Sequence, residues 1–128
     1  MEPDIKTTLD KEYYIEFFEQ TIQNKEISIL KLPKEIRHSG KTDILNVVGS
    51  EIQILYDSYP IVITSYVLQE YSAYIVCTIE EFMSYVFSKL DYDISVILLD
   101  NVDSSTEIYK EFLNFCKSHN LSVVGFIV

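Results

Sequence analysis

Glycine is scarce in this chain. Only three occur, Gly40, Gly49 and Gly125, and none precedes a segment with helical periodicity. A phosphate-binding turn needs glycine so that backbone N–H groups can approach the anion at a helix start. The helix starts here hold Glu80, Glu81, Asp103 and Glu107 instead, which complement the helix dipole and repel phosphate. The sequence therefore argues against a nucleotide cofactor, and no other cofactor motif is assembled. Cysteine is equally sparse. Cys77 at a strand end and Cys116 on an apolar helix stripe read as core residues rather than a redox or metal pair. No disulfide or metal staple is needed, because a single domain of 128 residues buries roughly two-thirds of its unfolded surface. Reduced thiols fit a cytoplasmic location.

Histidine is limited to His38, in a basic loop, and His119, where a helix ends and its negative dipole favours an imidazole. Nucleophilic catalysis needs a Ser or Cys beside a His that a carboxylate orients. A Cys77–His38 pairing is the one such arrangement left open, and no motif supports it, so the chain reads as a non-enzyme. Long apolar runs are missing too. Nothing approaches the ~20 apolar residues of a membrane helix, and Met1-Glu2-Pro3-Asp4 is acidic where a secretory signal is basic.

Positive charge is the most telling scarcity. Ten basic residues face twenty acidic ones, for a net charge of −10. The imbalance is uneven: Lys25, Lys31, Lys34, Arg37 and Lys41 cluster, whereas from Thr42 to Tyr109 the sole basic residue is Lys89. That acidic body repels nucleic acid and membrane headgroups and attracts basic proteins, although solubility alone accounts for it equally well.

What is present reads most clearly over residues 71–128. Tyr71–Cys77, Ile94–Leu99 and Leu121–Val128 have strand character; Thr78–Leu90 and Ser104–His119 have helical spacing. In the first helix Ile79, Phe82, Met83, Val86, Phe87 and Leu90 share a face, and Ile108, Phe112 and Cys116 do so in the second. Thr78 with Glu81, and Ser104 with Glu107, have capping-box spacing. The strands are continuous apolar runs, as expected where helices cover both faces of a parallel sheet. The apolar run to Val128 predicts an interior strand; at an edge it could pair two copies of the chain.

Earlier, a helix is expected from Thr7 or Thr8 to Asn24, with Tyr13 and Tyr14 among its core-facing aromatics. Glu26–Leu32 reads as a strand ended by Pro33. Asp43–Val48 and Glu51–Tyr56 read as strands joined by a Gly49-Ser50 turn, and Ile61–Leu68 as another strand pairing with Tyr71–Cys77. The fold expected is α/β of mixed type: one domain over residues 1–128, one sheet of five to seven strands with an antiparallel N-terminal part, a C-terminal β-α-β-α-β unit, and three helices.

The carboxyl edge of the parallel strands is where α/β proteins usually bind ligands, and Thr78, Asp100, Asn101, Asp103, Ser104 and Ser105 belong there. Asp100 stands where a phospho-accepting or metal-binding aspartate would, but the second acidic pair and the lysine of such a site have no place in this chain. Asp91-Tyr92-Asp93 precedes its strand and belongs to the opposite edge. The tyrosines supply a different pattern. Asp57, Tyr59, Glu70, Tyr71, Tyr74, Asp91, Tyr92 and Asp93, with Asp100 and Asp103, combine carboxylates and aromatics as a surface for a basic protein does. Tyrosine also simply favours strands. The leading expectation is an inhibitor or immunity-type protein that neutralises a basic partner such as a nuclease toxin.

Val96-Ile97-Leu98-Leu99-Asp100 followed by Asp103-Ser104-Ser105 at a helix start resembles the STAS domains of anti-sigma-factor antagonists over residues 61–128. The resemblance implies a hairpin, then helix, strand, helix and strand, and a regulatory serine at Ser104 or Ser105 that is switched by phosphorylation. Thr106 stands where that family has glycine, and the loop from Asp100 to Asp103 is shorter.

Overall fold

The computed structural model describes residues 11–31, 41–56, 60–65, 75–84 and 96–128. In chain order the elements are α1 (Lys11–Gln23), β1 (Ile27–Lys31), α2 (Lys41–Tyr56), β2 (Ile61–Thr64), β3 (Ile75–Cys77), α3 (Ile79–Ser84), β4 (Val96–Val102), α4 (Glu107–Ser118) and β5 (Ser122–Ile127). The strands form one sheet in the order β1-β5-β4-β2-β3, and every pairing is parallel.

Side-chain alternation explains why both faces of this sheet are covered. Along β4, Ile97 and Leu99 enter a core with Phe82, Phe112 and Cys116 of α3 and α4. Val96 and Leu98 enter the opposite core, with Phe18 and Ile22 of α1 and Ile44, Leu45, Val48 and Ile52 of α2. The result is three layers. The continuous apolar strands of the C-terminal half were legible for this reason, and its β-α-β-α-β order stands as expected. The C-terminal strand is also interior, with β1 on one side and β4 on the other. It lies so close to β4 that a Cβ on Gly125, whose φ is +144°, would come within 2.2 Å of the Leu99 carbonyl oxygen.

The N-terminal half departs from expectation. No described strand is antiparallel, and there are four helices among the described residues rather than three. The added helix is α2, which runs unbroken through the Gly49-Ser50 pair read from sequence as a turn between two strands. Ile44, Leu45, Val48 and Ile52 have helical spacing that places them together in the core. Gly49 costs a helix about 1 kcal/mol relative to alanine, and burial of this stripe outweighs it. The Ser50 hydroxyl donates to the Asn46 carbonyl, 3.0 Å away and one turn back, a bond a helix interior accommodates at small cost. Since β2 and β3 pair in parallel, with Ile61 opposite Ile75, the hairpin implied by the STAS resemblance is not formed.

Smaller corrections concern single side chains. Tyr13, expected on a core face, is 60% exposed and stacks on Phe17, whereas Tyr109 is buried as expected. The Thr78–Glu81 capping box forms in both directions: Glu81 N donates to Thr78 Oγ1 at 3.2 Å and Thr78 N donates to Glu81 Oε1 at 3.0 Å. Ser104 caps nothing. The N-cap of α4 is Thr106, whose Oγ1 accepts from Tyr109 N, because residues up to Val102 still belong to β4 and a turn intervenes.

Candidate functional site at the carboxyl edge

Strand order selects one crevice. The chain leaves β2 toward β3 on one side and leaves β4 toward β5 on the other, yet β2 and β4 are neighbours. The gap between their carboxyl ends is thus a topological switch point, the place where open α/β sheets receive ligands.

Local backbone geometry shapes this gap. Thr64 lies opposite Asp100 in register and both are buried. At the next residue β4 bulges: the register shifts between Asp100 and Val102, and Asn101 takes a left-handed φ of 57°. Asparagine adopts that region more readily than most residues. The Asn101 carbonyl accepts the Ser65 hydroxyl at 2.8 Å, which ties the end of β2 to the bulge. Beyond Val102, Asp103 Oδ1 accepts the Ser105 backbone N–H at 2.9 Å and the Ser105 hydroxyl at 2.7 Å. Ser104 instead donates its hydroxyl to the Val128 carbonyl at 2.8 Å.

These elements enclose a cavity of about 220 Å³ lined by Thr64, Ser65, Ile79, Glu80, Val102, Asp103, Thr106 and Ile108. Among the described residues, three hydroxyls and two carboxylates give it polar character, and none of its lining side chains is basic. The Ser105 hydroxyl, then the Ser105 N–H, and to a smaller degree the charge of Lys31, hold the Asp103 carboxyl below its ordinary value. It is a carboxylate throughout the neutral range. Glu80 and Glu107 stand in the first turns of α3 and α4, so those helix starts are already matched with negative charge. Such a cavity suits a cationic or hydroxyl-bearing group and opposes an anion.

Nucleophilic chemistry finds little support nearby. Burial pushes the Cys77 thiol up to about 12, with the Glu81 charge adding to it, and burial alone pushes Cys116 up to about 12. His38 lies outside the described residues. His119 ends α4 as expected of a helix terminus, with Nδ1 3.0 Å from the Phe115 carbonyl oxygen. Among the described residues, no group of three or more His, Cys, Asp or Glu is placed to hold a metal ion. No helix among them is long and apolar enough to cross a membrane.

Of the residues that sequence reasoning assigned to a partner surface, Asp57, Tyr59, Glu70, Tyr71, Tyr74, Asp91, Tyr92 and Asp93 lie outside the described residues. Asp103 is exposed at the mouth of the cavity. Asp100 is fully buried, so its carboxylate is no part of the outer surface. Thr64, Ser65 and Thr106 were missed as site residues. The signal for the first two was a polar pair directly after the apolar run Ile61–Ile63, hidden by extending that strand to Leu68. Comparison of the chain with protein-family models, with curated proteins and with solved structures finds no match.

Proposed function

We propose that this chain acts by binding rather than by catalysis, and that it holds a basic protein through the acidic carboxyl edge of its sheet. Inhibition of that partner, in the manner of an immunity protein against a nuclease toxin, is the biological role that fits an acidic body of this size. The observation that carries the reading is the switch-point cavity, whose charged lining among the described residues is Glu80 and Asp103. A lysine or arginine side chain presented there meets two carboxylates and the hydroxyls of Thr64, Ser65 and Thr106, while long-range attraction to the net charge of −10 speeds encounter. The two buried thiols, Cys77 and Cys116, suit a reducing compartment, and we place the protein in the cytoplasm.

The alternative, a phosphorylation-switched signalling domain, fits the geometry less well. A phosphate on Ser105 would stand against the Asp103 carboxylate to which that hydroxyl now donates, and one on Ser104 would break its bond to the Val128 carbonyl.

The test is capture of partners on the immobilised protein at low and high salt, repeated with the Glu80→Lys/Asp103→Lys double variant. Glu111→Lys, an exposed reversal on α4, serves as control. The expected result is one basic protein retained at low salt, released at high salt, kept by the control and lost by the double variant. Retention that ignores both salt and the double reversal overturns the proposal.

A further inference from the structure

On the opposite face of the sheet, two acidic side chains meet in the seam between helices. Glu19 of α1 and Glu51 of α2 line a cavity of about 110 Å³ whose remaining walls include Ile22, Val48, Ile52 and Leu55. Glu19 Oε2 is shut off from solvent and has no hydrogen-bond donor. The Glu51 carboxyl lines the same cavity and acts on Glu19, and two ionised carboxylates offer each other only acceptors. A single shared proton resolves the conflict, since one carboxyl then donates to the other.

Among the described residues, the charges that act on Glu19 are all negative. Glu16 on α1 adds a third negative charge, and the strands beneath contribute apolar side chains such as Leu98, Val124 and Phe126. The one ion pair that joins α1 to α2 among the described residues is Lys11–Asp43 at 3.2 Å, about two turns away along both helices. Burial, followed by the hydrogen bond to Glu51 and the charges of Glu51 and Glu16, pushes the Glu19 carboxyl up to about 7.

We propose that Glu19 and Glu51 form a proton-operated clasp: α1 and α2 are held together while the two carboxyls share a proton, and the seam loosens when both ionise. Loosening uncovers Ile22, Val48 and Ile52 beside Leu55 and Ile54, which are already 62% and 80% exposed. The apolar surface therefore grows as pH rises, the reverse of a histidine switch. A carboxyl raised in the folded state contributes stability that is complete below its unfolded value near 4.5 and is lost as pH rises through about 7.

Urea unfolding of the wild type, Glu19→Gln and Glu51→Gln at pH 5, 6.5 and 8 tests this directly. The wild-type unfolding constant should rise about tenfold from pH 5 to pH 8, less than the full shift implies because the pair is partly open to solvent. In Glu19→Gln that rise should vanish, and in Glu51→Gln, where Glu19 stays buried beside Glu16, it should shrink. Amide exchange in the wild type should show α1 and α2 losing protection relative to α4 over the same range. Parallel pH dependence in all three proteins, or equal loss in α1, α2 and α4, overturns the clasp. Should the variants fail to fold, carboxyl-carbon NMR of the wild type decides: titration near pH 7 supports the proposal, and titration of both groups in the ordinary carboxylate range overturns it.

Discussion

The two faces of the sheet are built from the same apolar strands but are closed differently. Over α3 and α4, Phe82 meets Phe112 edge to face with ring centroids 5.4 Å apart, and both helices start on side-chain caps. Over α1 and α2, Phe18 meets Phe126 in the same manner at 5.4 Å, but the seam between the helices contains two carboxyls, and its outer side leaves Ile54 and Leu55 exposed. The carboxyls at the two sites also behave in opposite ways. Asp103 has two donors from Ser105 and is held low; Glu19 is raised by burial and then by the acid beside it. The shift of each carboxyl thus follows from its burial and from the donors or acids beside it, and the apolar layer beneath is common to both faces.

That comparison can be broken at the sheet itself, where the largest effect is expected. Gly125→Ala drives a Cβ into the Leu99 backbone at a φ that side chains rarely adopt, so both faces should fail together, at a cost of about 3 kcal/mol or more in urea unfolding. A variant of wild-type stability would mean that β4 and β5 are less closely apposed. Next come the two aromatic contacts. Phe112→Ala and Phe18→Ala each remove a fully buried ring and should each cost about 3–5 kcal/mol. If the clasp belongs to the α1–α2 face alone, Phe112→Ala lowers stability equally at pH 5 and pH 8, and Phe18→Ala alters the pH dependence as well. The smallest effect separates true caps from apparent ones. Thr78→Ala should cost about 1 kcal/mol and fray α3, whereas Ser104→Ala should leave the start of α4 protected in amide exchange, because Thr106 caps it.

Much of the architecture was legible because its signals are local. Thr78 and Glu81 are three residues apart and could be recognised as a box without knowing what they pack against. Ser104 and Glu107 have the same spacing and proved otherwise, since the bulge at Asn101 and the Asp103 turn delay the helix until Thr106. The Asp43–Tyr56 segment misled for a related reason. A dense apolar run interrupted by Gly-Ser satisfies both a strand–turn–strand and a helix pattern, and only the core formed with Phe18 and Leu98 selects the helix.

Local patterns in the chain already carried the alternation of helix and strand among the described elements from Ile75, the covering of the strands on both faces, the interior position of the last strand and the strongly negative charge. These follow from periodicity, capping and composition, which involve neighbours along the chain. Long-range packing settled the rest: every described strand runs parallel, β2 lies beside β4 so that Ser65 reaches Asn101, and Glu19 shares a cavity with Glu51. Ser65 and Asn101, like Glu19 and Glu51, are more than thirty positions apart, and such contacts are set by how helices pack on a twisted sheet rather than by any pattern a short stretch of sequence contains.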